Sequence, residues 1–126
     1  MIYFLQGETT RKIKIGFTNR LIRSRIMALQ IGSPDRLVFL GAHPGDEHTE
    51  RDLHQKFKAT ASHGEWHTES VELLQYINDS CITDMDVAHS ADSLVAAGVI
   101  SQQDLGNLDH KAINSQYISY LSDKLW

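Results

Sequence analysis

The sequence predicts an α+β fold: a small three-stranded antiparallel sheet flanked by helices, followed by a helical C-terminal extension. Three observations carry that expectation. Two short apolar runs, IYFL and IKIGF, flank a polar stretch holding Gly7, Thr9 and Thr10, which reads as a hairpin. A third apolar run, RLVFLG, stands between two stretches of helical spacing. The 126 residues, 41% of them hydrophobic, suffice for one domain with its own core and a small appendage.

Taken in order, Ile2–Leu5 and Ile13–Phe17 supply the first two strands. Asn19 stands where it can N-cap a helix over about residues 20–30, which Gly32, Ser33 and Pro34 terminate. Arg36–Gly41 is the third strand, and Pro44-Gly45 turns the chain after it. A second helix runs from Glu47 to about Ala59, its first-turn acids suiting the helix dipole. The loop HGEWH then leads to a third helix near Ser70–Ile77. These elements make a domain over residues 1–80. In residues 81–126, NDSCITDMDVAHSAD reads as a linker or loop and LVAAGVI as a short helix. A longer helix carries Ile113, Tyr117, Ile118, Leu121, Leu125 and Trp126. Three roles fit this extension: a cover for the first domain, a homodimer or protein-docking segment, or the remainder of one core.

One cysteine, Cys81, leaves no internal disulfide framework and no pair of thiolates for zinc, which fits a reducing compartment. The chain opens on no signal-peptide pattern, and no apolar stretch approaches the roughly 20 residues of a membrane span. A cytoplasmic protein is therefore expected. The net charge of −4 hides a division. Residues 1–45 carry a net +5, with Lys12, Lys14, Arg20, Arg23 and Arg25 among the cations, whereas residues 71–126 carry a net −6. The front is suited to phosphates and the tail would repel them, so removing the tail should strengthen DNA binding. Two solvated faces of opposite sign are the plain alternative.

The run KIKIG raises a sharper question, since glycine weakens a strand interior unless something approaches the backbone closely. Either this is an ordinary edge hairpin or it is one wall of a site. On the first helix, Arg25 falls in the stripe of Ile22, Ile26 and Leu29; on the second, Glu50 falls in that of Leu53, His54 and Phe57. A charged group is rarely buried without a partner. Arg25 and Glu50 therefore either pair with each other or serve a site. His54, one turn after Glu50, is either a proton carrier beside that carboxylate or a satisfied histidine packed near Phe57. His48, Glu50 and His54 do not make the HExxH spacing of a zinc helix. Trp66 is either a core plug or a stacking surface for a base.

In sequence, IYF, KIGFT, an arginine followed by ALQIGSP, a strand, ERDLHQKF and GEW form an ordered series between Tyr3 and Trp66. That series resembles the small phage and bacterial branch of the GIY-YIG nuclease superfamily. The resemblance implies a metal-dependent endonuclease that hydrolyses DNA phosphodiester bonds in a bacterial or phage-infected cell, using Mg²⁺ or Mn²⁺. By position it assigns Tyr3 to the tyrosine of the first motif, Ile15-Gly16 to the end of the second, Arg25 to the helix arginine and Glu50 to the metal-holding carboxylate. Lys14 stands where the second motif has its tyrosine, and His67 where an aromatic usually follows GEW. The implied catalytic set is Tyr3, Lys14, Arg25, Glu50 and His54, with Gly16, Lys12, Arg20, Arg23 and Trp66 on the substrate side. If the hairpin pairs residues whose numbers sum to about 17, Lys14 lies across from Tyr3 and its ammonium favours the phenolate. A catalytically weak nucleic-acid-binding module of the same fold and a phage-type interaction regulator acting through the acidic tail are the alternatives.

Overall fold

The computed structural model describes residues 1–125 of the chain. In order the elements are β1 (Ile2–Gly7), β2 (Ile13–Phe17), α1 (Ile22–Ile31), β3 (Leu37–His43), α2 (Glu47–Lys56) and a 3-10 turn (Lys58–Thr60). After them come β4 (Ala61–His63), β5 (Trp66–His67), α3 (Val71–Ser80), α4 (Met85–Ala96), α5 (Gln102–Leu105) and α6 (His110–Leu125). The class is α+β as expected, but the antiparallel sheet has five strands rather than three, in the order β3-β1-β2-β5-β4. The added hairpin is the stretch expected as a loop. Gly64, at φ 58, turns it, and its strands of three and two residues are too short for alternation to mark them.

Each face of the sheet is covered. On one, Ile2, Phe4, Ile13 and Ile15 pack against Leu53 and Phe57 after α2 begins, and against Leu73 and Ile77 of α3. On the other, Met1, Tyr3, Leu5 and Ala42 meet Ile22 of α1 and Val87, Ala91, Leu94, Leu105 and Ile113 of the later helices. Each such aliphatic or aromatic side chain contributes about 1.5–3 kcal/mol when fully buried. Residues 81–126 thus supply half of one core, the plainest of the three roles their sequence allowed. No helix among the described residues is long and apolar enough to cross a membrane.

The hairpin register differs from the one that would oppose Tyr3 to Lys14. Tyr3 pairs with Gly16 and Leu5 with Lys14, so partner numbers sum to 19. The connection sets this: Gly7 N–H donates to Lys12 O, Arg11 N–H donates back to Gly7 O, and Arg11 takes φ 63. Opposed residues of an antiparallel pair share a face. Tyr3, Gly16 and Lys14 therefore stand on one side of the sheet, Tyr3 and Lys14 on a diagonal.

The helices are stopped and started by partners the sequence names only in part. Asp46 and Thr49 form a reciprocal cap on α2, Ser70 caps α3, and Asp84 caps α4. Asn19 does not cap α1. The position before that helix is Leu21, whose side chain cannot accept a bond, and the acceptor comes from α4: Asp92 takes the Ile22 N–H at 2.5 Å. Only residues 81–84 of the polar stretch 78–92 form a connection; the rest is helical, in α3 and α4, and Ser90 and Asp92 are buried with partners: Ser90 Oγ donates to Asp86 O. The expected short helix at LVAAGVI is only the end of α4, closed by Gly98 at φ 74. The long C-terminal helix is α6; Trp126, assigned to it from sequence, lies outside the described residues.

Candidate active site

Burial of Leu53 and Phe57 against Ile13 and Ile15 fixes the rotation of α2. Glu50 and His54 lie on that same helical stripe and so arrive at the edge of β2. That edge is only half paired. β5 covers Ile13 and Lys14; beyond them Ile15 N–H donates to Glu65 O, and Ile15 O accepts from His54 Nε2 at 3.1 Å. Lys14, Glu50 and His54 are thereby brought together from two elements, and with them come Glu65 and His67. Lys14 Nζ stands 2.6 Å from Glu65 Oε2, and Glu50 Oε1 3.6 Å from His54 Nε2.

The electrostatics of this cluster are uneven. Burial, and then the hydrogen bond and charge of Glu65, push Glu50 up to about 7 from an ordinary 4.5, with Lys14 pulling the other way. Burial also acts to raise Glu65, but the bond and charge of Lys14 outweigh it and hold that carboxyl below its usual range. A proton on this pair therefore belongs to Glu50, which donates it to Glu65.

Behind Glu50 lie two stacked imidazoles, His54 and His67, with centroids 5.0 Å apart. Their proton positions follow from their partners. His67 Nδ1 faces Phe57 O at 3.2 Å and His54 Nε2 faces Ile15 O, and a carbonyl can only accept. Both outer nitrogens therefore carry hydrogen. The inner contact, His54 Nδ1 to His67 Nε2 at 2.8 Å, needs a third. The pair thus has places for three protons and one positive charge, next to the Glu50 carboxylate. His67 is fully buried; burial and then the charge of His54 hold its pKa below the usual histidine value.

Tyr3 is 1% exposed, and its ring lies across Gly16. A Cβ at Gly16 would overlap the ring and its hydroxyl, so the close approach that glycine permits here is by the chain's own tyrosine. Lys14 faces Glu65, not the Tyr3 phenol, so the lysine-for-phenolate pairing expected from a register of 17 is absent. Arg25 and Glu50 do not pair either. Arg25 lines a polar concavity of about 280 Å³ with Arg20 and Glu47, one turn before Glu50. Among the described residues Lys12, Arg20 and Arg25 form no ion pair, whereas Arg11, Arg23 and Arg36 are matched by Glu69, Asp86 and Glu8. Arg23 in particular turns to α4, with its guanidinium 2.9 Å from Asp86.

Nothing matches this chain among protein-family models, characterised proteins or solved structures. Glu65 and His67 are the cluster members that spacing on the helices does not find. Both lie in GEWH, whose short strand acquires its meaning only by pairing with β2. Among the described residues no three His, Cys, Asp or Glu side chains converge as a ready-made metal cage. What the cluster offers a hard cation is carboxylate oxygen: Glu50, and Glu65 beside it.

Proposed function

We propose that the chain is a metal-dependent endonuclease of the GIY-YIG kind that hydrolyses phosphodiester bonds in DNA. The observation that carries this reading is the convergence of Lys14, Glu50 and His54 at the half-open edge of β2, on a strand whose Gly16 underlies Tyr3. Glu50 would hold Mg²⁺ or Mn²⁺, and its displaced proton fits a carboxyl raised to about 7. A hard divalent ion there neutralises charge that builds on phosphoryl oxygens. Arg25 and Arg20, without a carboxylate partner among the described residues, would hold the flanking phosphate through planar guanidinium forks. Tyr3 is the hydroxyl that would take or relay a proton on the strand face, and the hydrogen-bonded His54–His67 pair stands behind Glu50. Lys14 keeps Glu65 ionised and so sets the field that Glu50 feels.

The burial of Tyr3 and the engagement of Lys14 by Glu65 favour a second reading, a nucleic-acid-binding module that does not cut. Nicking of supercoiled plasmid with Mg²⁺ or Mn²⁺, run beside a gel shift in EDTA, separates the two. The enzyme nicks, and Glu50→Gln abolishes nicking while the circular-dichroism spectrum stays the same. A shift without nicking by the wild-type chain supports the binding module, and neither signal removes DNA from the proposal.

A further inference from the structure

Beyond the Glu50 cluster, the register lines up one cross-strand row on the Tyr3 face of the sheet: Leu5, Lys14, Trp66, His63. Trp66 is the immediate neighbour of Lys14, one strand spacing away, and the Lys14 ammonium sits 5.7 Å from its ring centroid. The outer side of Trp66 opens into a cavity of about 320 Å³, walled by Pro34 and Leu37 and rimmed by Lys12 and His63. Asp35 also borders it, but both of its carboxylate oxygens are taken by the backbone N–H groups of Thr9 and Thr10. Those bonds hold Asp35 as an anion turned to the Thr9-Thr10 backbone, and the cation of the rim is the Lys12 ammonium, whose other contact is the Ser62 hydroxyl. An apolar slot floored by an indole and edged by a cation suits a flat aromatic ring attached to an anion.

We infer that this cavity is a base-stacking subsite: it takes one unpaired nucleobase stacked on Trp66, with the phosphate of the same nucleotide at Lys12. This deepens the nuclease reading and rests on it for the identity of the strand, but the stacking itself requires no metal. Lys12 and Trp66 line the same cavity, so one nucleotide can present its base to the indole and its phosphate to the ammonium. The ligand is consequently a strand with an unstacked base, whether single-stranded or at a loop or end, since every base offers a π-face to an indole.

Trp66 can report on its own occupancy. The chain has two tryptophans, so a Trp126→Phe background leaves Trp66 as the single indole. In EDTA, a short single-stranded oligothymidylate should quench Trp66 emission, and a strand of the same length and charge built of abasic sugars should bind about tenfold more weakly, the loss expected when one stacked base is removed. Trp66→Leu should bring the two strands to equal affinity in a gel shift. Equal affinity of both strands for the intact chain, with Trp66 emission unchanged, overturns the subsite by reducing the contact to phosphates alone. Plasmid nicking is scored separately. A strand difference without nicking keeps the subsite and removes the nuclease, and nicking without a strand difference does the reverse.

Discussion

An ionised Glu50 must coexist with Glu65 in a partly desolvated corner, and this fixes the sign of a pH effect. Its pKa of about 7 in the folded chain lies above the ordinary 4.5, so the folded state holds this proton more tightly than the unfolded state. The stabilisation is complete below pH 4.5 and is lost as pH rises through 7. Glu50→Gln, which cannot ionise, should therefore melt a few degrees above wild type at pH 8 and level with it near pH 4, followed by circular dichroism. Mg²⁺ at pH 8 should raise the melting temperature of wild type and leave the variant unmoved. A variant that melts below wild type at pH 8 would mean that the ion pair with His54 outweighs the repulsion from Glu65. Gly16→Ala tests the other half of the site. The new methyl must displace the Tyr3 ring, at a cost of about 1–3 kcal/mol for overpacking, read from urea unfolding, and with a changed near-ultraviolet tyrosine signal. At this scale Glu50, Arg25 and His54 are legible in the sequence because helical spacing puts polar groups conspicuously among apolar ones. Glu65 and His67 are not, because a two-residue strand has no period and their importance comes from what it pairs with.

Whole elements show where local sequence is a complete instruction and where it is not. The first three strands and α2 are legible because their apolar runs, turn residues and caps agree with one another, down to Asp46 at the start of α2. The start of α1 is different. Leu21 offers no acceptor, and Asp92, seventy residues later, supplies it. Asp92→Ala should cost about 1–2 kcal/mol, the range for a lost helix cap, and should speed amide hydrogen exchange selectively in the first turn of α1. Uniformly faster exchange would show a general loosening in place of a lost cap. The same aspartate explains why α4 is illegible as a helix: a sequence that reads as polar linker is polar because two of its side chains are spent inside the protein. Five of the basic residues counted as one patch also change meaning at this scale, since Arg11, Lys14, Arg23 and Arg36 are matched to acids, and Lys12 to a hydroxyl.

For the whole molecule, charge and packing give opposite forecasts for the tail. Its excess acid suggests that removing it would strengthen DNA binding. Val87, Ala91, Leu94, Leu105 and Ile113, however, complete the core over Met1, Tyr3 and Leu5, and their loss would bare one face of the sheet. A chain ending after residue 82 should accordingly lose its near-ultraviolet dichroism and sediment as aggregates. A monodisperse, folded fragment would restore the charge forecast and make residues 1–80 a domain in their own right. The Asp92 cap carries this further, into the order in which the polypeptide is made. When a ribosome has polymerised eighty residues, every side chain of the Glu50 cluster already exists, yet the helix bearing Arg25 has no terminus to start from and the tyrosine strand has no roof. Both arrive only with residues 87–113. A chain stopped at residue 80 would therefore be a sticky stub with one face of its sheet bare, for proteases to clear.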